Sequence, residues 1–352
     1  MISRRSWFEW TWDALCVLSI VGIWPRFIEP RLLSLAKYTL PIPTLPKALQ
    51  GIRILHLSDL HFNCYSSPSF LNRLKTKIQS LSPNLILFSG DLLSYATLSN
   101  KTLADDFFTG LSAPLGIFAC LGNHDYNRYA TIDSKGTISY GQPDCHPVIQ
   151  GVQKVLGISA ASNEDIDSLV PNEELVHFYR SHGVTLLHNE TVRVGTHDNF
   201  LNLTGIGDLN TGNCEPFTAY KGWDIQAPGI VLAHNPEIYS HLTSFPGNLF
   251  LFGHTHGGQI NLPFIGKRLL GPNSSLRSGL YVRDERTLFV SRGVGSTFPF
   301  RLFAPPNIAL FTLVQGGKER ASALTKELFE PVVQADPSIA SPQISRKNEP
   351  IR

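Results

Sequence analysis

Cysteine is scarce, charge is nearly balanced, and apolar runs are too short for a bundle of membrane spans. The five cysteines, Cys16, Cys64, Cys120, Cys145 and Cys214, are odd in number, widely spaced and without a C-x-x-C pair. That pattern excludes a disulfide framework or a zinc ribbon and favours a reducing compartment. Lys and Arg number 30 against 28 Asp and Glu. A balance of +2 lacks the basic excess of a duplex-binding protein, so no nucleic-acid partner is expected. Charged residues make up 16% of the chain and apolar residues 42%, which excludes a disordered polyelectrolyte. What remains is a globular chain of 352 residues, long enough for one large α/β domain with additions.

The ends depart from that average. Residues 1–53 carry Arg4, Arg5, Arg26, Arg31, Lys37, Lys47 and Arg53 against Glu9, Asp13 and Glu29, seven cations against three anions, so the basic excess sits at one end. Trp7, Trp10, Trp12 and Trp24 bracket the apolar run from Ala14, and tryptophan favours the membrane–water interface. The run has 11 residues, Ala14 to Trp24, against roughly 20 for a span. A shallow anchor is therefore expected, with Pro25 ending the helix and residues 26–37 interleaving cations with Phe27, Ile28, Leu32, Leu33 and Leu35 as an interfacial segment does. The same features suit a signal peptide or a buried N-terminal helix, although no small-x-small cleavage site follows and Asp13 interrupts the apolar stretch. At the other end, residues 318–352 are polar with Pro331, Pro337, Pro342 and Pro350, and read as a loosely ordered tail.

Between these ends, apolar runs recur, each stopping at a polar or Gly-rich turn: Ile52–Leu57, Leu85–Phe88, Ile117–Leu121, Leu201–Ile206, Ile230–Ala233, Leu249–Phe252, Leu288–Val290 and Ile308–Val314. Such runs predict strands buried on both faces. Pro68–Leu81 and Glu173–Ser181 show helical spacing, and the alternation implies an α/β fold. Tyr126–Asn172, rich in Gly, Ser and Asp, is an inserted loop or cap, to which Tyr129, Ile132, Ile138, Tyr140, Val148, Ile149, Val155, Leu156 and Ile158 supply apolar surface.

Metal-binding residue types stand where the buried runs stop. Asp59 and His61 follow the first, Asp91 the second, Asn123, His124 and Asp125 the third, and His234, His254 and His256 two later ones. In an α/β sheet the carboxyl ends of strands line one crevice, so these residues define one site. Carboxylates, imidazoles and an Asn amide without thiolates suit manganese, iron or zinc. The set is too large for one ion, and two divalent ions roughly 3.5–4 Å apart would clamp a phosphoryl group and generate hydroxide at neutral pH. The glycines Gly90, Gly122 and Gly253 are expected to supply backbone freedom that swings the next side chain inward. His56 lies inside a run and reads as a core histidine; His146, His177, His182, His188, His197 and His241 lack the strand-end context.

Each piece alone is commonly an ordinary turn. Taken in order, Asp59-x-His61, Gly90-Asp91, Gly122-Asn123-His124-Asp125, His234 and Gly253-His254-Thr255-His256 resemble the calcineurin-like metallophosphoesterases from about Ile52 to Val314. The resemblance implies an α/β sandwich of two mixed β-sheets flanked by helices, with a dimetal site at strand C-terminal ends. It implies that Asp59, His61 and His256 hold a first metal and Asn123, His234 and His254 a second, with Asp91 bridging. His124 would act as an acid or hydrogen-bond donor on the phosphoryl group, oriented by Asp125.

Further segments, among them His188-Asn189-Glu190, Gly205-Ile206-Gly207-Asp208, His234-Asn235-Pro236-Glu237 and Arg301-Leu302-Phe303-Ala304-Pro305-Pro306, are similar to the membrane-associated branch of that family. In this chain Asn307 stands where the branch commonly has Glu, which puts contacts at the substrate rim in doubt. The resemblance implies a division into residues 1–50 as membrane-anchoring segment and lead-in strand, 51–315 as catalytic domain with 126–172 inserted, and 316–352 as tail. The implied partners are a membrane surface, at the cytoplasmic face of the inner membrane, and a lipid substrate with a nucleotide headgroup. The implied reaction is hydrolysis of UDP-2,3-diacylglucosamine at the α-phosphorus to UMP and 2,3-diacylglucosamine 1-phosphate in lipid A synthesis. A broad-specificity membrane phosphodiesterase or phosphatase has the same fold and metals, and an inactive membrane scaffold keeps the fold alone.

Overall fold

The computed structural model describes residues 7–132, 138–141, 169–261, 276–296, 298–316 and 327–331. The apolar runs become strands: β2 (Arg53–Leu57), β3 (Leu85–Ser89), β4 (Ile117–Cys120), β9 (Phe200–Gly205), β10 (Gly229–Leu232), β11 (Leu249–Phe252), β13 (Arg286–Val290) and β14 (Asn307–Gln315). Three more, β1 (Ser34–Ile42), β7 (Val184–Leu186) and β15 (Glu327–Pro331), complete a seven-stranded sheet in the order β15-β1-β14-β2-β3-β4-β7, in which β2, β3, β4 and β7 run parallel. The second sheet has six strands in the order β12-β13-β11-β10-β9-β8, where β8 is Glu190–Gly195 and β12 is Gly279–Arg283; β9, β10, β11 and β13 are parallel.

Strand residues alternate between two cores. Ile54, Leu85, Leu87 and Cys120 of the first sheet face Leu203, Ile230, Leu232, Leu249, Leu251 and Phe289 of the second, in one buried cluster between the sheets. Their neighbours Leu55, Leu57, Ile86, Phe88 and Ala119 pack outward against helices α2 (Pro68–Leu81), α3 (Lys101–Phe108) and α4 (Glu173–Ser181). Helix α2 presents Phe70, Leu71, Leu74 and Ile78 to that layer, and the Ser67 hydroxyl accepts from the Phe70 N–H at its start. Burial on both faces explains why the strand runs are continuous rather than alternating.

The N-terminal region differs from expectation in two ways. Helix α1 (Trp7–Leu18) does not stop at Pro25 but continues as a wider π-type helix over Ser19–Ile28 and a tight turn at Glu29–Arg31. The Glu29 N–H reaches back to the Trp24 carbonyl, and this wider bonding spans the residue whose missing N–H would break a normal α-helix. Trp10–Arg31 is thus 22 residues long, long and apolar enough to cross a membrane by length and composition, beyond the shallow anchor expected from the 11-residue run. Ser34–Lys37, assigned to an interfacial segment, instead begins β1, which pairs in parallel with β14 from Ser34 opposite Asn307 to Ile42 opposite Gln315. Leu33 and Leu35 are core residues there, because alternate positions of a strand face inward whatever cations lie between them.

Two polar segments also carry structure. Within 316–352, β15 (Glu327–Pro331) pairs antiparallel with β1. Within 126–172, β5 (Tyr129–Ile132) and β6 (Ile138–Gly141) form a hairpin; Val148, Ile149, Val155, Leu156 and Ile158, like His146 and Cys145, lie outside the described residues. Cys16, Cys64, Cys120 and Cys214 are free thiols.

Candidate metal centre

The candidate residues meet at the seam between the sheets. Asp59 and His61 follow β2, Asp91 follows β3 and Asn123 follows β4 in the first sheet; His234 follows β10, and His254 and His256 follow β11 in the second. Asp59, His61 and His256 form one cluster of converging ligand atoms, and Asp59, Asp91 and His234 another. His61 Nε2 lies 3.2 Å from His256 Nε2, and His256 Nε2 lies 3.5 Å from Asp59 Oδ1. Asp91 Oδ2 sits 3.5 Å from His61 Nε2 and 3.2 Å from His234 Nε2, so it stands beside one histidine of each cluster. His254 Nδ1 and Asn123 Oδ1 are 2.9 Å apart.

These spacings and tautomers fit metal ions. Donor atoms bonded at about 2.1 Å and at right angles to one ion lie about 3 Å from each other. His61 donates its Nδ1–H to the Leu93 carbonyl at 2.9 Å and His234 donates its own to Ser89 O at 2.7 Å. In each ring the Nε2 lone pair is thereby turned to the centre, the arrangement a metal-binding histidine needs. His234 Nε2 is buried and makes no aligned hydrogen bond, although Asp91 stands beside it.

Backbone geometry adds a second signature. Asp59, His61, Asp91, His254 and His256 all have left-handed backbones, with φ between 45° and 69°, a conformation costly for non-glycine residues and concentrated at functional sites. The inward swing therefore occurs at the ligands themselves. Gly90 does adopt φ 88°, but the reason for Gly122 and Gly253 is space: a Cβ on Gly122 would lie 2.2 Å from Asp91 Oδ1, and one on Gly253 1.8 Å from Ser58 Oγ.

Electrostatics follow from burial. Burial works to raise Asp91, but the His234, His124 and His61 imidazoles outweigh it and hold the carboxyl well below its usual range. Burial works to lower His234, yet the Asp91 and Asp59 carboxylates raise it well above the ordinary histidine value. His256 is pushed well down, by burial first and then by His61 and Arg301, so it stays a neutral ligand. Asp59 is raised, chiefly by burial.

His124 and Asp125 differ in detail from expectation. The Asp125 carboxylate accepts from the backbone N–H groups of Asp91 (2.7 Å), Gly122 (3.0 Å) and Leu93 (2.9 Å), so it staples the turns after β3 and β4 on either side of His124. Burial, with Asp91 alongside, pushes it up to about 7. The His124 ring is held by the Tyr95 N–H, which donates to Nδ1 at 3.1 Å, and by Tyr129 of the hairpin, stacked at 5.4 Å between centroids. With Nδ1 accepting from Tyr95, the N–H that the ring itself can offer is on Nε2. Neither tyrosine has a strand-end position in sequence; Tyr129 stood out there only as an apolar residue of the inserted segment.

The remaining expectations resolve simply. His56 is fully buried, bonds Ser89 Oγ at 2.8 Å and is pushed down to about 3 by burial, a neutral core histidine. Asn307 is not on a rim: it is buried and its Oδ1 accepts from the Arg292 N–H at 2.7 Å.

Two convergent ligand groups at strand ends of a two-sheet sandwich define a dimetal phosphoester hydrolase. Residues 52–258 match the calcineurin-like phosphoesterase family, and the chain belongs to it. Among its relatives, the chain is 34% identical over 306 residues to the UDP-2,3-diacylglucosamine pyrophosphatase LpxG of Chlamydia muridarum and 35% identical over 306 residues to that of Chlamydia trachomatis serovar D. Each alignment covers 83% of this chain and 92% of the relative. It is also 28% identical over 316 residues to the phosphodiesterase YaeI of Escherichia coli, covering 89% of this chain and 100% of that protein.

Two consequences are measurable. Asp91→Asn removes the charge that stands beside both His61 and His234, so metal content falls and phosphodiester hydrolysis drops by more than about 100-fold while circular dichroism stays native; near-native turnover would show that Asp91 is no bridge. Because His234 must be deprotonated to bind a metal, loading the metal-free protein releases protons and affinity rises with pH. Calorimetry of Mn²⁺ loading in two buffers of different ionisation enthalpy reads this directly, and buffer-independent heats would show that His234 is already neutral.

Proposed function

We propose that the chain hydrolyses a lipid-linked pyrophosphate at a membrane surface: UDP-2,3-diacylglucosamine, cleaved at the α-phosphorus to UMP and 2,3-diacylglucosamine 1-phosphate in lipid A synthesis. The observation that carries this reading is the resemblance to two UDP-2,3-diacylglucosamine pyrophosphatases over 92% of their length, in a chain that retains every candidate ligand. The N-terminal helix supports it. Trp7, Trp10, Trp12, Leu15, Val17 and Leu18 are exposed, an apolar surface that water disfavours and a bilayer accommodates. That helix would seat the enzyme on the inner membrane with its catalytic domain on the cytoplasmic face.

In this reading Asp59, His61 and His256 hold one ion, Asn123, His234 and His254 the other, and Asp91 bridges. Mixed carboxylate, imidazole and amide donors suit manganese, with iron or zinc as alternatives. Bound there, two divalent ions polarise the phosphoryl group and lower the pKa of water. The chain's own contribution is His124, whose Nε2–H donates to a phosphoryl oxygen as negative charge develops. Tyr95 and Tyr129 fix the ring in that donor form. An inactive scaffold would have no need of converging, left-handed ligands. A broad-specificity phosphodiesterase is the second reading, favoured by the full-length resemblance to YaeI.

Purified protein loaded with Mn²⁺ is expected to release UMP from UDP-2,3-diacylglucosamine with a kcat/KM far above that for bis(p-nitrophenyl) phosphate. Comparable values on both would favour the second reading. His124→Ala should keep both metals and lose roughly 10² to 10⁴ in rate; a fall in metal content would move His124 into the ligand set.

A further inference from the structure

The foot of the N-terminal helix is wired into the metal centre. Glu29 is buried, at 3% exposure, and both its carboxylate oxygens are used: Oε2 accepts from Trp24 Nε1 at 2.8 Å, and Oε1 accepts from the Ala304 N–H. One turn earlier, the Pro25 carbonyl accepts from the Arg301 N–H at 2.8 Å. Arg301 is 1% exposed. Its guanidinium donates to the carbonyls of Arg292 and Ala304 at 2.8 and 2.9 Å and to that of Gly295. Its Nη2 also lies 3.3 Å from His256 Nδ1, so the guanidinium abuts the ring of a candidate ligand.

The same foot reaches the loop that follows the other histidine of that group. Arg26 lies over the Tyr65 ring at 5.6 Å, on the loop just after His61, and Asn63 of that loop donates to Ser296 O at 3.0 Å. Segment 301–304 is also strapped to the chain after His256, through Leu302 N to Gln259 O at 2.9 Å and Asn261 N to Leu302 O at 2.7 Å.

We infer that Glu29 is a positioning residue for the metal group of Asp59, His61 and His256: it seats the helix foot on segment 301–304, and through Arg301 fixes the His256 ring. The inference rests on the reading of His256 as a metal ligand. It makes the N-terminal helix part of the active centre rather than a detachable tether. Only a carboxylate fits between two N–H donors, because a glutamine amide would turn its own donor against one of them.

The test uses the full chain in detergent micelles, with Mn²⁺ titrated into metal-free protein, and with turnover of bis(p-nitrophenyl) phosphate, a substrate without acyl chains. Glu29→Ala and Glu29→Gln are expected to weaken Mn²⁺ binding at one of two sites by about tenfold or more, the usual effect of losing support behind a ligand. kcat on the soluble diester falls in parallel, with KM and flotation with liposomes unchanged. Trp24→Phe combined with Glu29→Gln removes the clashing indole N–H and restores Mn²⁺ affinity to within about threefold, a recovery that general destabilisation would not show. Wild-type Mn²⁺ affinity and kcat in both Glu29 variants would overturn the inference. Wild-type protein that binds two Mn²⁺ and cleaves the diester but not UDP-2,3-diacylglucosamine would overturn the proposed substrate instead, leaving the joint to be judged on metal affinity.

Discussion

The structure depends on the packing of two sheets against each other. Neither sheet alone holds a complete metal group: Asp59, His61, Asp91 and Asn123 come from one, and His234, His254 and His256 from the other. The buried layer of Ile54, Leu85, Leu87, Leu203, Ile230, Leu232, Leu249, Leu251 and Phe289 sets the separation at which those ligands face each other. A close-packed interior yields little. A void under Leu232 or Leu251 would therefore be felt at His234 and His254, one or two residues beyond the strand ends.

That packing also bears an electrostatic load. Asp59, Asp91, Asp125 and Asp208 are all buried near one another, and burial raises Asp208 to about 7 and Asp125 likewise. Uncompensated carboxylates in such a place are costly, and the backbone N–H groups given to Asp125 compensate only in part. Divalent cations meet the rest of the demand, so the electrostatics, the spare Nε2 lone pairs and the ligand spacings point to one occupant. The left-handed backbones at five ligands, each costing about 1–3 kcal/mol, persist because the surrounding turns are cross-bonded: Asp59 N–H to Gly90 O, His61 N–H to Asp91 O, and Gly253 N–H to His234 O.

Much of this was legible in the sequence, and the remainder was not, for physical reasons. Strands sandwiched between two apolar layers read as continuous runs, and the helical spacing of Pro68–Leu81 and Glu173–Ser181 matches helices α2 and α4 from end to end. A lead-in strand was expected within residues 1–50, but the start of β1 was masked because Arg31 before Leu32 and Leu33, and Lys37 after Leu35, mimic an interfacial segment. Edge strand β15 is polar and resembled a tail. The ligands were readable because each follows a buried run. Tyr95, Tyr129 and Arg301 were not, since their importance comes from contacts across 29, 5 and 45 residues of chain and no local pattern encodes such a meeting.

The path from helix to sheet ties these observations together. After the turn at Glu29–Arg31 only Leu32 and Leu33 precede β1, and Leu33 is already in the core. No flexible linker separates the apolar helix from the central sheet, so the distance from helix to metal centre is set by covalent geometry and by the buried contacts of Glu29 and Pro25. A substrate whose acyl chains stay in a bilayer can present its phosphorus only over a narrow range of heights. A catalytic domain on a long tether would sample many heights and spend most of its time at the wrong one. For the proposed lipid substrate, a helix foot joined through Glu29 and Pro25 to segment 301–304 would narrow that search, and the metal centre would then depend on how the helix is seated.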